Sequence, residues 1–179
     1  MKKFFWSFFE VIETVVIAIV AVVLVRTFVI QPFVVSGASM EPSFYNGNYL
    51  LVDELTYRFR EPERGEVVVF RYPGDEKSFY IKRIIALPGE QVFIDDGEVT
   101  VRTADGEKIT LDEPYLGDRT TTGTFEHTLA SDEYFVMGDN RNFSFDSRSW
   151  DKPLKRDEIV GLVKLRLWPR VEVFAAPSY

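Results

Sequence analysis

A chain of 179 residues with no cysteine and a single histidine, His127, has few routes to covalent chemistry. Thiol nucleophiles, disulfides and cysteine-based zinc sites are excluded, and so is any site needing several histidines. What remains is a hydroxyl nucleophile, and any Ser–His–Asp arrangement would have to pass through His127. Three stretches carry suitable residues. The first is Ser36-Gly37-Ala38-Ser39-Met40-Glu41-Pro42-Ser43. Its small residues let the backbone turn tightly, leave the Ser39 hydroxyl accessible and allow a peptide to approach the nearby N–H groups, as an oxyanion site requires. An ordinary Gly/Ser turn has the same composition.

The second stretch is Tyr80-Ile81-Lys82-Arg83-Ile84-Ile85-Ala86-Leu87-Pro88-Gly89. In a strand, Lys82 shares a face with Tyr80 and Ile84, while Ile81, Arg83 and Ile85 point the other way. If that face is buried, desolvation disfavours the ammonium form, and a neutral amine can take a proton from a serine hydroxyl. A lysine snorkelling from a sheet edge is the structural alternative. The third stretch runs from Met137 to Arg148 and packs two acids, two arginines, two asparagines and two serines into one loop. Such a loop either caps itself with hydrogen bonds or holds a lysine through a hydroxyl and an ion-pair network. His127 lies outside all three, in Thr-rich surroundings, and reads as a solvated loop residue.

The elements that must position these residues divide at Pro32. Before it, Lys2 and Lys3 precede an aromatic stretch and an apolar run from Val15 to Val25. A helix from Phe4 to Val25 would span about 33 Å at ~1.5 Å per residue, enough for a bilayer. Glu10 and Glu13 would then be costly in lipid. The register Thr14 to Ile30 leaves them at the inner interface and lets Arg26 snorkel outward. A cleavable signal ending at Ser36-Gly37-Ala38 is the competing reading, but that site lies far beyond Val25. The lysines favour a cytoplasmic N-terminus.

From Pro32 onward the pattern is of short strands: Tyr49–Val52, Glu66–Arg71, Phe79–Ala86, Gln91–Ile94, Glu98–Arg102, Lys108–Leu111, Tyr134–Met137, Val160–Leu167 and Val171–Ala175. Asp95-Asp96-Gly97 makes a hairpin turn. The expected fold is mainly β: one transmembrane helix (residues 1–31 with the cytoplasmic N-terminus) followed by an antiparallel sheet or barrel-like domain (residues 32–179). Hydrophobic residues make up 46% of the chain, with 16 Phe and 8 Tyr, so a real core is available. A net charge of −7 without a basic stripe argues against a nucleic-acid partner.

Ser-Gly-x-Ser-Met-x-Pro at 36–42, Tyr-Ile-Lys-Arg at 80–83 and Gly-Asp-Asn-Arg-x-x-Ser-x-Asp-Ser-Arg at 138–148 resemble, in this order, the motif signature of type I signal peptidases. Arg26 to Phe33 and Arg64 to Phe70 look like the same family, and the resemblance is weakest between Phe93 and Glu133. It implies Ser39 as nucleophile, Lys82 as general base and Ser144 as the hydroxyl that orients the lysine. It also implies Asp139 and Asp146 as loop supports, Arg83 and Arg148 as their charge partners, and Tyr80 beside the dyad. Some members carry a serine oxyanion donor two residues before the nucleophile. Here Gly37 stands there, leaving the Ser39 N–H with more of that work and Ser36 as a further contributor. Met40 is grouped with Ser36 and Gly37 on the substrate-binding side. One membrane segment and a short domain resemble the minimal members.

The implied reaction is removal of signal peptides from secretory preproteins at the outer membrane face, through an acyl-enzyme, without metal or organic cofactor. Small residues one and three places before the cut would enter two shallow apolar pockets, and an exposed strand edge could take the substrate as an added strand. Phe33, Val34, Val35, Met40, Phe44 and Tyr45 flank the nucleophile as either core or a lipid-facing patch. Three other readings compete. A self-cleaving repressor-type protease would need a DNA-binding module. A membrane-tethered β-domain that binds exported proteins without catalysis would not need Ser39 or Lys82. A structural anchor would leave the 138–148 loop without a role.

Overall fold

The computed structural model describes Trp6, residues 10–20 and residues 30–177. Residues 10–20 are helical and exposed, and no helix among the described residues is long and apolar enough to cross a membrane. In either register, the expected spanning segment lies partly outside the described residues. Its C-terminal limit is corrected: Ile30 is not helical but opens a strand, so Pro32 sits inside β1 and the β-domain begins two residues before the predicted boundary. Proline is tolerated there because β1 is the edge of its sheet, where a missing N–H breaks no ladder.

Twelve strands follow among the described residues: β1 (Ile30–Val34), β2 (Tyr49–Asp53), β3 (Val67–Tyr72), β4 (Asp75–Ala86), β5 (Gln91–Asp95), β6 (Glu98–Arg102), β7 (Lys108–Thr110), β8 (Thr124–Thr128), β9 (Glu133–Met137), β10 (Leu154–Lys155), β11 (Ile159–Trp168) and β12 (Glu172–Val173). All pairings are antiparallel. An eight-stranded sheet runs β1-β2-β11-β3-β4-β9-β10, with β12 paired to β11, and a four-stranded sheet runs β7-β6-β5-β8. Both strand orders are open, so the domain is two folded sheets.

Alternation along β3 explains how the large sheet is covered. Val68 and Phe70 enter one cluster with Ile84, Val136 and Leu154, while Val67 and Val69 enter another with Met40, Phe44, Leu50 and Val163. β4 then breaks the alternation. Its pairing with β9 is irregular between Ile84 and Ala86, and Ile85 is buried in a third cluster with Val92, Val101, Phe135 and Met137. Ile84 and Ile85 face opposite clusters as alternation requires, and the break comes at the bulge, where Ala86 joins Ile85 in the third cluster.

Several expectations change. β8 and β10 were not among the predicted strands, and β12 is only two residues long. His127 lies on β8, exposed, with its ring 6.4 Å from that of Phe135, and not in a loop. Of the six residues flanking the nucleophile, Val35, Met40 and Phe44 are core, while Val34 and Tyr45 are exposed.

Candidate active site

Lys82 reaches the site from β4, where its backbone pairs with Val68 at the centre of the large sheet. Its side chain is only 4% exposed. The Nζ atom lies 2.8 Å from Ser39 Oγ and 2.9 Å from the Ile81 carbonyl. It also sits 5.4 Å from the centre of the Tyr80 ring, which stacks on Tyr72. Burial pulls the Lys82 amine down to about 8, against the opposing fields of Asp146 and Asp139. Ser39 lies in the turn that follows β1, partly buried, and its hydroxyl accepts from the Lys82 amine.

Those opposing fields are weakened because each acid has its own arginine. Arg83 grips Asp139 with Nε to Oδ1 at 2.8 Å and Nη2 to Oδ2 at 2.7 Å, and donates its Nη1 to the Gly65 carbonyl at 2.8 Å. Arg148 grips Asp146 the same way, both bonds at 2.8 Å, and Asp146 also accepts the Gly138 N–H at 3.0 Å. Both carboxylates are fully buried. Each carboxylate is thus matched to a guanidinium by a bidentate pair, and strand alternation keeps Arg83 on the face of β4 away from Lys82.

The remaining expected residues are placed less uniformly. The Ser144 hydroxyl is buried and has no hydrogen-bond partner among the described residues. It packs beside Gly138, where a Cβ would come within 2.3 Å of Ser144 Oγ and 2.4 Å of the Ser39 carbonyl oxygen. Only glycine fits between them. Gly37 has φ +96°, a left-handed conformation in which a serine would be strained, and its N–H donates to Asn46 Oδ1 at 3.0 Å. Ser36 is exposed on the groove rim. Met40 is corrected: its side chain is 1% exposed among Phe44 and Val163, so it is withdrawn from the groove into the core.

The groove itself has a volume of about 580 Å³ and is lined by Phe33, Val35, Leu50, Val69 and Ile81 around Ser39 and Lys82. β1 and the outer half of β4 form its walls. Among the described residues β1 ends its sheet, and β4 pairs with β9 only from Arg83 onward, so both walls present backbone edges with no strand beside them there. A concavity of about 640 Å³ on the small sheet, among Phe93, Arg102, Phe125 and Glu126, is lined by neither Ser39 nor Lys82.

Sequence reasoning passed over Asn140 and Arg141 as working residues of the loop. Asn140 donates twice to the nucleophile's segment, from its N–H to the Ser39 carbonyl and from Nδ2 to the Ala38 carbonyl, both at 3.0 Å. Arg141 is fully buried, pairs with Glu113 (Nη1 to Oε2, 2.8 Å), reaches Thr121 Oγ1 at 2.7 Å and holds the Gly138 carbonyl at 3.1 Å. Tyr115 lies against Arg83, ring centre to guanidinium 3.8 Å. The loop motif named Arg141. Its partners Glu113, Tyr115 and Thr121 fall where no motif marks them.

A profile of the signal peptidase family, peptidase S26, matches residues 8–168. A probable signal peptidase I-2 from Synechocystis sp. is 37% identical over 169 residues, spanning 91% of this chain and 74% of that protein. Signal peptidase I of Bacillus licheniformis is 33% identical over 178 residues, spanning 93% and 92%. The crystal structure of a signal peptidase I from Enterococcus faecalis superimposes with a TM-score of 0.50 at 27% identity, covering 58% of this chain and 97% of that one.

Proposed function

This chain belongs to the signal peptidase family S26, and from that premise we propose that Ser39 and Lys82 are its catalytic dyad. It is a serine peptidase of the signal peptidase I type, and its reaction is removal of signal peptides from secreted preproteins. The observation that carries the dyad is the 2.8 Å contact between Lys82 Nζ and Ser39 Oγ with the lysine almost wholly buried. With the amine neutral, the same contact lets the hydroxyl donate to the nitrogen. The oxygen then attacks the scissile carbonyl, Lys82 keeps the proton and passes it to the leaving amine, and an acyl-enzyme remains on Ser39. Water activated by the lysine releases the signal peptide. Asp139 and Asp146, held by Arg83 and Arg148, support the loop that carries Ser144 against the nucleophile.

The substrate lies along the free edges of β1 and β4 as an added strand. Its small residues, one and three places before the cut, fill the apolar floor at Phe33, Val35, Leu50, Val69 and Ile81. The apolar run between Lys3 and Ile30 anchors the chain once in the cell membrane, N-terminus inside and the β-domain outside. Val34, on the groove, and Tyr45, both exposed, face the lipid.

Purified protein in detergent is expected to cut a model preprotein at the signal boundary, and a bulky residue placed directly before the cut is expected to stop it. In spheroplasts, protease added outside is expected to remove a tag placed after Tyr179. Unchanged cutting of the bulky variant contradicts the pocket assignment, and a protected tag contradicts the orientation.

A further inference from the structure

We propose that Asn140 is the residue that positions the oxyanion donor, by fixing the plane of the Ala38–Ser39 peptide. The inference rests on Ser39 being the nucleophile and deepens that reading. Asn140 is 8% exposed, and its two donors straddle the nucleophile: Nδ2 takes the carbonyl of Ala38, and the backbone N–H takes the carbonyl of Ser39. Both peptide units flanking Ser39 are therefore held by one residue.

The consequence follows from peptide geometry. In a planar trans unit the C=O and the next N–H point in opposite directions. Drawing the Ala38 carbonyl onto Asn140 turns the Ser39 N–H away from the 138–148 loop. That N–H has no hydrogen-bond partner among the described residues, although neighbouring amides at Gly37, Glu41 and Phe44 are paired. Ala38 and Ser39 both line the substrate groove. That places a donor without a protein acceptor at the groove, and a carbonyl oxygen gaining negative charge under attack by Ser39 Oγ is the acceptor it suits. With Gly37 supplying no hydroxyl, this N–H carries the oxyanion, and its direction is set from the far side by an amide that never touches substrate.

Asn140 is itself fixed. Its carbonyl accepts the Phe143 N–H at 2.9 Å, and Arg141, anchored on Glu113, holds the carbonyl of Gly138 two residues before it. The clamp cannot drift without breaking a buried ion pair.

The test uses the full chain in detergent, a cleavable preprotein and a peptide boronate that forms a tetrahedral adduct on the nucleophile. Asn140→Ala is expected to lower kcat roughly 10- to 100-fold, short of the ~10²–10³ that follows outright loss of an oxyanion donor, with KM unchanged. Boronate affinity should fall by the same factor as kcat/KM, while the acid limb of the pH profile stays in place. Asn140→Asp keeps the shape and the backbone donor but sets an acceptor against the Ala38 carbonyl, and should lose at least as much. Wild-type kcat in both variants, or a kcat loss with unchanged boronate affinity, overturns the proposal. The underlying reading fails separately: turnover by Ser39→Ala would remove the nucleophile, whereas silent Asn140 variants beside an inactive Ser39→Ala remove only the positioning role.

Discussion

Ser39→Ala and Lys82→Ala are each expected to cut preprotein turnover by about 10⁴–10⁶-fold, because a nucleophile and its base act as one unit and losing either forfeits nearly all of the chemistry. Neither change should unfold the domain. Ser39 contributes one side-chain bond, to Lys82. Lys82→Ala removes a buried amine whose ammonium form is penalised by desolvation. The sign can be stated. A lysine that titrates near 10.5 unfolded and about 8 folded is a destabilising charge below pH 8, on the order of 3 kcal/mol, and that penalty fades as pH rises from 8 to 10.5. Melting temperatures at neutral pH should therefore be level or higher for Lys82→Ala. His127→Ala should be silent, since the imidazole is exposed on β8. Near-normal turnover by Lys82→Ala would remove the dyad and return attention to that histidine.

The second large effect lies in the pair beneath the loop. Asp139→Ala takes the bidentate acceptor from Arg83, a buried residue. Breaking a buried pair on one side costs about 3–5 kcal/mol, because the remaining charge keeps only its neutral partners, here the Gly65 carbonyl and the Tyr115 ring among them. The expected result is a melting temperature lowered by many degrees and a loop released from Ser39. Arg83→Met with Asp139→Leu, which removes both charges, should recover much of the stability without recovering full activity. A double variant as unstable as the single one would show that the loss comes from packing and not from the orphaned charge. Asp139→Asn is milder and informative in another way. It removes one of the two fields that raise the Lys82 amine, so the acid limb of the rate profile should move to lower pH.

The parts of the site that were legible in sequence are those carried by short local segments. Ser39, Lys82 and the 138–148 loop each announce themselves in a few adjacent residues, and the strand periodicity around Lys82 correctly sets Arg83 on the opposite face. What was not legible depends on contacts between distant segments. Glu113 and Arg141 are 28 residues apart, and nothing local at Glu113-Pro114-Tyr115 marks it as a counter-charge. Asn140 belongs to the loop motif, yet its two bonds to Ala38 and Ser39 span about a hundred positions. β8 escaped because Thr124-Phe125-Glu126-His127-Thr128 is polar and largely exposed, held by its ladder with β5 and by Phe125 alone against the core. Met40 misled in the opposite sense: its neighbours in sequence line the groove, but the turn after Ser39 drives its side chain into the cluster under β3. The division of the chain at Pro32 falls inside an edge strand, which absorbs the proline.

The central claim is that a buried, neutral Lys82 activates Ser39, and rate against pH tests it most directly. With the amine at about 8, kcat/KM should climb from acid toward alkaline pH with a midpoint near that value, so that two pH units below the midpoint only about 1% of the lysine is neutral and the rate is down ~100-fold. Ser144→Ala, which disturbs the surroundings of the dyad and not the pockets, should lower kcat more than it raises KM. A profile with an acid optimum, such as a pair of carboxylates at Asp139 and Asp146 would produce, or one that is flat from pH 5 to pH 9, would contradict the lysine mechanism.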